Sequence, residues 1–163
     1  MANQLVIRRI VDNDRDQVRE FLRENWGSSL LVNSKAEHEG SQLPGFILYA
    51  DGFIVGLVTY HINGEDCELV SLNSSLTGRG VGSMLLRSLE DVASEHGCKR
   101  IWAMTTNDNT QALRFYQKRG YEMEAIYFDS LAQLRERKPS IPALGQDGIA
   151  LRSEVEMVKR LGE

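Results

Sequence analysis

Apolar and polar residues alternate through much of the first half of the chain, a pattern typical of strands with one buried face. This pattern predicts four strands, at residues 5–11, 46–50, 53–62 and 67–73. After the first strand, apolar residues at helical spacing predict a helix that begins near Asp14 and ends at Gly27. Residues 27–44 are polar and have no period, so we expect an irregular segment there. The Asp51-Gly52 pair predicts a tight hairpin, because both turn positions require positive φ.

The second half changes to a helical period followed by short alternating elements. Apolar residues from Val81 to Val92 fall on one face of a predicted helix that ends near Gly97. Five further elements are predicted, a strand at residues 101–105, a helix around 112–116, a strand at 121–128, a helix at 129–137 and a strand at 153–159. No repeat or linker divides the sequence, so we predict one domain over residues 1–163. The order of elements predicts a mixed, mainly antiparallel α/β sheet flanked by helices.

Composition and charge argue against several classes of protein. The 163 residues are 42% hydrophobic and 26% charged, as in ordinary globular domains. A net charge of -4 and a pI near 5.5 argue against a nucleic-acid partner, which usually requires a basic face. The N-terminal residues lack the pattern of a signal peptide, and no apolar stretch approaches the roughly 18 residues that span a membrane. We therefore expect a cytoplasmic protein without a membrane partner.

The cysteines and histidines are scattered along the sequence. Cys67 and Cys98 form no Cys-x-x-Cys pair, and the histidines at positions 38, 61 and 96 lack the spacing of metal ligands. The sequence therefore predicts neither a disulfide framework nor a metal site.

The densest chemical signal is the segment Thr77-Gly78-Arg79-Gly80-Val81-Gly82-Ser83, between a predicted strand and a predicted helix. Its alternate glycines leave backbone N–H groups unshielded, and the helix that begins there adds partial positive charge, so the loop suits a phosphate or pyrophosphate. No lysine follows as in a P-loop, and Ser83 stands where a dinucleotide fingerprint has glycine. From these residues alone, phosphate binding and a turn that only permits close helix–strand packing are equally supported.

The loop resembles the acyl-CoA loop of the GNAT superfamily of N-acetyltransferases, [Arg/Gln]-x-x-Gly-x-[Gly/Ala]. Gly80 and Gly82 match its glycine positions, whereas Thr77 departs from its first position. The segment from Asn109 to Tyr121 resembles the family's second motif, Asn-x-x-Ala-x-x-[Phe/Leu]-Tyr-x-x-x-Gly-[Phe/Tyr]. The segment Lys138-Pro-Ser-Ile-Pro-x-x-Gly is similar to a bacterial subgroup whose substrate is unknown. The resemblance implies an acyl-CoA N-acyltransferase fold with acetyl-CoA as cosubstrate.

The resemblance also implies roles for individual residues. Tyr116 would donate a proton to the leaving CoA thiolate, and Glu68 would accept one from the acceptor amine or its water. The alternatives are a core tyrosine and a solvated carboxylate at a strand start. By strict alternation Glu68 shares a strand face with Val70 and Leu72, and Asn109 also suits a helix N-cap. The residues implied in cofactor binding are Leu72, Asn73, Ser74, Thr77, Gly78, Arg79, Gly80, Val81, Gly82, Ser83, Asn109, Phe115 and Tyr116.

The acceptor side is less defined, although the family architecture implies that residues 26–43 and 128–152 flank it. The candidates for contact with the acceptor, which ordinary loop composition explains equally well, are Trp26, Ser28, His38 and Tyr127. The implied activity is direct transfer of an acetyl group to a primary amine of a small molecule or peptide. A non-catalytic acyl-CoA sensor on the same fold and an unrelated nucleotide-binding protein are the alternatives. Edge strands of such proteins often pair, so a homodimer is a further expectation.

Overall fold

A seven-stranded sheet lies at the centre of the computed structural model, which describes residues 5–76 and 78–162. The strands are β1 (Leu5–Arg9), β2 (Leu30–Val32), β3 (Glu37–Glu39), β4 (Gly45–Ala50), β5 (Phe53–Asn63), β6 (Asp66–Ser74), β7 (Arg100–Thr106), β8 (Glu122–Tyr127) and β9 (Glu154–Arg160). The helices are α1 (Arg15–Trp26), α2 (Val81–Glu95), α3 (Thr110–Lys118) and α4 (Ser130–Arg137). The sheet order is β1-β4-β5-β6-β7-β9-β8, in which β6 and β7 are parallel and every other neighbouring pair is antiparallel. The predicted mixed, mainly antiparallel fold is confirmed.

The sheet buries a separate core on each face, because each long helix carries one apolar stripe. On the face that we call the α2 face, the buried side chains include Leu85, Leu89, Ile101, Met157 and Tyr121. On the opposite α1 face, they include Val18, Leu22, Ile47 and Leu57. A third, smaller cluster under α4 contains Leu131, Leu134 and Leu151.

Residues 27–44 are not irregular, which makes that prediction wrong. β2 and β3 form an antiparallel hairpin outside the main sheet. The Asn33 side chain closes its turn, because Oδ1 accepts hydrogen bonds from the backbone N–H groups of Lys35 and Ala36 at 2.8 and 2.9 Å. The sequence conceals the hairpin because strands of three residues are too short to establish a period.

A bulge in β6 breaks the alternation of its side chains. Two consecutive β5 residues pair with Ser71 and Leu69, which leaves Val70 between them without a partner on β5. Val70 packs on the α1 face, whereas Leu72 packs on the α2 face. Glu68 alternates with core residues of the α2 face and therefore lies on the α1 face. The prediction that Glu68 and Leu72 share a face is wrong.

β6 and β7 separate beyond this bulge. Their parallel pairing ends at Leu69 and Ala103, although β6 continues to Ser74 and β7 to Thr106. β7 stays paired with β9 along its whole length, so the gap opens within the sheet rather than at its border. The edge of β6 from Val70 onward therefore faces an opening that can accept an extended ligand.

Two further expectations concern disulfides and membrane-spanning segments. Cys67 and Cys98 are both free thiols in the core, and burial raises the pKa of Cys67 to about 12. No helix between residues 5 and 162, position 77 aside, is both long and apolar enough to cross a membrane.

Candidate active site

The gap between β6 and β7 borders a cavity of about 320 Å³. The two strands, the end of α1, the β2–β3 hairpin, α4 and the loop after α4 all contribute to its wall. The lining residues are Trp26, Leu31, Val32, Asn33, Glu68, Val70, Met104, Thr105, Thr106, Asp108, Asn109, Leu131, Lys138, Ser140, Ile141, Pro142, Gln146, Leu151 and Glu154. A mainly apolar cavity with a few converging polar groups is typical of a ligand site.

Glu68 is a buried carboxylate in this wall, only 4% exposed. The His38 Nε2 atom lies 2.8 Å from Oε1, and Asn33 Nδ2 donates to Oε2 at 3.3 Å. The hairpin supplies both partners and thereby covers the carboxylate. The ring of His38 also lies 5.0 Å from that of His61, an exposed residue of β5. Glu68 is therefore part of the cavity and not a solvated residue at a strand start.

Glu154 is a second carboxylate of the wall, which the sequence reasoning missed. It is 2% exposed, and its carboxylate accepts hydrogen bonds from the Ser130 hydroxyl at 2.8 Å and the Ser34 backbone N–H at 3.2 Å. Glu154 and Glu156 alternate with apolar residues along β9, a pattern that normally places glutamates in solvent. The β2–β3 hairpin and α4 cover this face instead, and the sequence of β9 contains no pattern that predicts this.

Two further charges complete the wall. Asp108 accepts hydrogen bonds from the Thr106 hydroxyl at 2.5 Å and the Gln146 backbone N–H at 2.9 Å, which ties the loop after α4 to β7. Lys138 donates to the Leu30 carbonyl at 3.0 Å, and burial lowers the pKa of Lys138. Among the described residues, the wall thus carries three carboxylates and one amino group. This excess of negative charge favours a cationic ligand.

Tyr116 lies in the core of the α2 face and does not line the cavity. Its ring centroid is 5.4 Å from those of Phe115 and Tyr121, and burial raises its pKa, so the phenol stays protonated. Its hydroxyl has no hydrogen-bond partner in the described part of the chain, where every fully buried side-chain nitrogen and oxygen has one. The hydroxyl therefore reaches accessible space. Tyr116 and Glu68 approach the sheet from opposite faces.

The glycine loop at the start of α2 has the properties of an anion site. Gly78 and Gly80 have positive φ angles of 71° and 70°, and a Cβ at either would meet no described atom within 4 Å. Within the described ranges, no group accepts a hydrogen bond from the amides of residues 78–83. Free N–H groups and open space at a helix N-terminus suit a phosphate. Arg79 is exposed, and Thr77 lies outside the described residues.

Gly82 serves close packing instead. A Cβ there would lie 3.2 Å from the Phe115 ring, which also stacks against Arg119 with 3.7 Å from Cζ to the ring centroid. Arg119 in turn donates a 2.6 Å hydrogen bond to the Ser83 hydroxyl, and Val81 is buried in the core. The packing explanation of the loop thus holds for Gly82, where α3 contacts the first turn of α2.

The end of β6 lies along the open edge. Asn73 Oδ1 accepts a hydrogen bond from Trp26 Nε1 at 2.5 Å, which joins α1 to the strand. The Ser74 hydroxyl donates to the Leu76 carbonyl at 2.7 Å and fixes the turn that follows. The Leu72 side chain points into the α2 core. These three residues of β6 therefore offer their backbone groups, rather than their side chains, to the gap.

The structure brings some of the remaining candidates to the cavity and leaves others outside it. Asn109 is the N-cap of α3, with Oδ1 accepting from Ala112 N–H at 3.1 Å, and it also lines the cavity. His38 contacts the cavity through Glu68. Ser28 and Tyr127 do not line it, and the Ser28 hydroxyl accepts a hydrogen bond from the Leu30 N–H within its own loop.

Comparison with known proteins gives one family. Residues 12–121 match the model of the acetyltransferase (GNAT) family. Protein YxbD of Bacillus subtilis is 38% identical over 148 residues, which cover 90% of this chain and 93% of YxbD. The fold is similar to that of an IAA acetyltransferase from Bacillus cereus, with a TM-score of 0.74, 21% identity and coverage of 97% of this chain and 100% of that one. A GNAT family acetyltransferase from Elizabethkingia anophelis with acetyl-CoA bound has a TM-score of 0.71 at 15% identity, with coverage of 96% and 98%.

Proposed function

The chain belongs to the GNAT acetyltransferase family, and we propose that it transfers the acetyl group of acetyl-CoA directly to a primary amine of a small molecule or peptide. The observation that carries this proposal is the cavity in which the buried Glu68 carboxylate lies beside the point where β6 and β7 separate. The acidic wall attracts a cationic amine, and the open strand edge leaves room for an acyl donor.

Bound acetyl-CoA supplies an acetyl group activated as a thioester. The free amides of residues 78–83, at the positive end of α2, suit its pyrophosphate, and the empty space at Gly78 and Gly80 lets a phosphate approach. Backbone groups of Leu72, Asn73 and Ser74 suit the amide-containing pantetheine arm as an added strand. Asn109, which lines the cavity at the N-terminus of α3, suits the same arm through its side-chain amide.

Glu68 acts as the base in this proposal. An ammonium group must lose a proton before it can attack a thioester, and a buried carboxylate can accept that proton directly or through a water. Asn33 and His38 hold the carboxylate in one orientation. Because the His38 ring also contacts exposed His61, it offers the proton a route from Glu68 to solvent.

Tyr116 acts as the acid. The leaving thiolate requires a proton, and the Tyr116 phenol keeps its own at any ordinary pH because burial raises its pKa. Its hydroxyl makes no hydrogen bond to the described part of the protein, so no existing bond must break before it donates. Base and acid then act from opposite faces of the sheet, with the gap between β6 and β7 joining them.

Titration calorimetry of the purified protein with acetyl-CoA, with ATP and NAD as controls, tests the donor. Thiol release on addition of amines, with mass spectrometry of the product, tests the transfer. We expect binding of acetyl-CoA alone and an N-acetylated product. Binding of acetyl-CoA without turnover over a wide range of amines would instead support a sensor, and binding of ATP or NAD in its place would support an unrelated nucleotide-binding protein.

A further inference from the structure

Two buried carboxylates face the cavity with fewer cations than charge balance requires. In the described part of the chain, Glu68 forms no ion pair with a lysine or arginine and has only the His38 ring as a partner that can carry positive charge, and Glu154 forms no ion pair. The Glu154 carboxylate is held by neutral donors, the Ser130 hydroxyl and the Ser34 amide. A carboxylate buried without a counter-charge is costly to keep, so its position at a cavity points to a cation supplied by a ligand.

Glu156 shows how the same strand balances a carboxylate that lies away from the cavity. It is 4% exposed, and its oxygens lie 2.5 Å from Lys35 Nζ and 3.6 Å from an Arg100 nitrogen. Burial disfavours the charge of Lys35, but the hydrogen bond and charge of Glu156 outweigh it and raise the pKa of Lys35. Glu154 and Glu156 share one face of β9. Of these two carboxylates, the one without a cationic partner is Glu154, which lines the cavity.

The spacing of the two cavity carboxylates limits the length of a ligand that reaches both. Asn33 Nδ2 donates to Glu68 and the adjacent Ser34 N–H donates to Glu154, at 3.3 and 3.2 Å. The covalent path between those two nitrogens spans about 6 Å at full extension, so the bound carboxylate oxygens lie no more than about 13 Å apart. Much of the remaining wall is apolar and includes Leu31, Val32, Val70, Met104 and Leu131. A methylene chain suits such a wall.

The other two charges of the wall do not replace the missing cation. Lys138 is bound to the Leu30 carbonyl at 3.0 Å and forms no ion pair with a described carboxylate. Asp108 also forms no ion pair among the described residues, but its carboxylate packs against Gly145 and its two oxygens accept hydrogen bonds from Thr106 and the loop after α4. We therefore take Glu68 and Glu154 as the two carboxylates that a ligand reaches.

We infer, on the basis of the proposed function, that the acceptor is a diamine-type molecule with two cationic groups joined by an apolar spacer, and that Glu154 binds the group that is not acetylated. The reacting amine lies at Glu68, and the second ammonium group lies at Glu154. Glu154 is then a specificity-determining residue, since it acts on recognition of the acceptor and not on the transfer.

Calorimetry with α,ω-diamines of about four to eight carbons, each against the monoamine of equal length, tests this assignment in wild type and in Glu154→Gln. In wild type we expect at least one diamine to bind about tenfold to a hundredfold more tightly than its monoamine, as for a charge-assisted hydrogen bond in a buried site. In Glu154→Gln the ratio of diamine affinity to monoamine affinity should fall to near one, because the diamine loses affinity while the monoamine does not.

Glu156→Gln is the matched control, because it makes the same chemical change on the same strand face outside the cavity. It should keep the wild-type ratio, and thermal unfolding should show that both variants fold. The assignment is wrong if no diamine binds wild type more tightly than its monoamine, a result that needs no variant. It is also wrong if the ratio survives in Glu154→Gln.

Thiol release with the same amine pairs separates this assignment from the acetyltransferase proposal. A diamine preference in binding without acetyl transfer would overturn the proposed function and leave the role of Glu154 in place. Acetylation of monoamines and diamines with equal KM would overturn the role of Glu154 and leave the enzyme in place.

Discussion

Tyr116→Phe removes one oxygen atom from the core and leaves the ring contacts in place. The hydroxyl makes no hydrogen bond to the described part of the chain, so its loss breaks none. The contacts with Phe115 and Tyr121, with centroids 5.4 Å away, involve only the ring. We therefore expect the free energy of unfolding to change by no more than about 0.5 kcal/mol.

The same variant should have a large effect on catalysis. A positioned general acid typically contributes about 100-fold to 10,000-fold, so kcat should fall by about 100-fold or more. The dissociation constant of acetyl-CoA should stay nearly constant, because the hydroxyl acts on the departing thiolate. Thiol release at saturating acetyl-CoA measures kcat, calorimetry measures the affinity, and urea unfolding measures the stability.

Tyr121→Phe supplies the control in the neighbouring ring. The Tyr121 hydroxyl donates to Glu90 Oε2 at 3.0 Å, an oxygen that also accepts from Lys159 at 2.9 Å. Its removal should lower the free energy of unfolding by about 1 kcal/mol and leave kcat unchanged. An unchanged kcat in Tyr116→Phe, or an equal loss in both variants, would refute the role of Tyr116 as proton donor.

Three further variants test other parts of the structure. Gly80→Ala should weaken acetyl-CoA binding by about tenfold or more in calorimetry, because a Cβ fills the space beside the free amides, while the positive φ of 70° costs about 1 to 2 kcal/mol of stability. Hydrogen bonding to Arg8 lowers the pKa of the buried Asp14 carboxyl to about 2, so its contribution of about 2 kcal/mol is present above about pH 4 and lost as the pH falls toward 2. Asp14→Asn should remove that contribution. The free energy of unfolding, measured with urea, should then differ less between pH 7 and pH 3 than it does in the wild type. Gly145→Ala would place a Cβ 2.1 Å from Asp108 Oδ2, so we expect a lower Tm and faster proteolysis of residues 138–152.

The sequence predicts those features of the fold that depend on neighbouring residues in the chain. The Asp51-Gly52 turn has the expected positive φ angles of 52° and 83°, because the residues that favour that turn also form it. Asn109 caps α3 through its own third neighbour, and apolar periodicity places α1 and α2 correctly. The glycine loop also depends only on neighbouring residues, because its free amides result from the glycines themselves and from the start of α2 beside them.

The acceptor side depends on contacts between distant segments, which explains why its main features were missed. Nothing near Val70 marks the bulge that moves Leu72 away from the face of Glu68. The alternation of polar and apolar residues around Glu154 is the same as in a strand with one face in solvent. Glu154 is buried because the β2–β3 hairpin, 120 residues earlier in the chain, covers it. Ser28 and Tyr127 are polar or aromatic residues in or next to the segments that the family architecture implies at the acceptor, and neither lines the cavity.

The β2–β3 hairpin determines how the acidic side of the cavity is arranged. Its residues Asn33, Ser34 and Lys35 hold Glu68, Glu154 and Glu156 respectively, and His38 contacts Glu68 as well. The expected donor site is built from other segments, namely the end of β6, the start of α2 and the N-cap of α3. In the proposed function, the hairpin serves recognition of the acceptor, whereas the end of β6, the start of α2 and the N-cap of α3 serve recognition of the donor. We therefore expect that a change in the hairpin alters which amine is bound and leaves the glycine loop, the proposed acetyl-CoA site, intact.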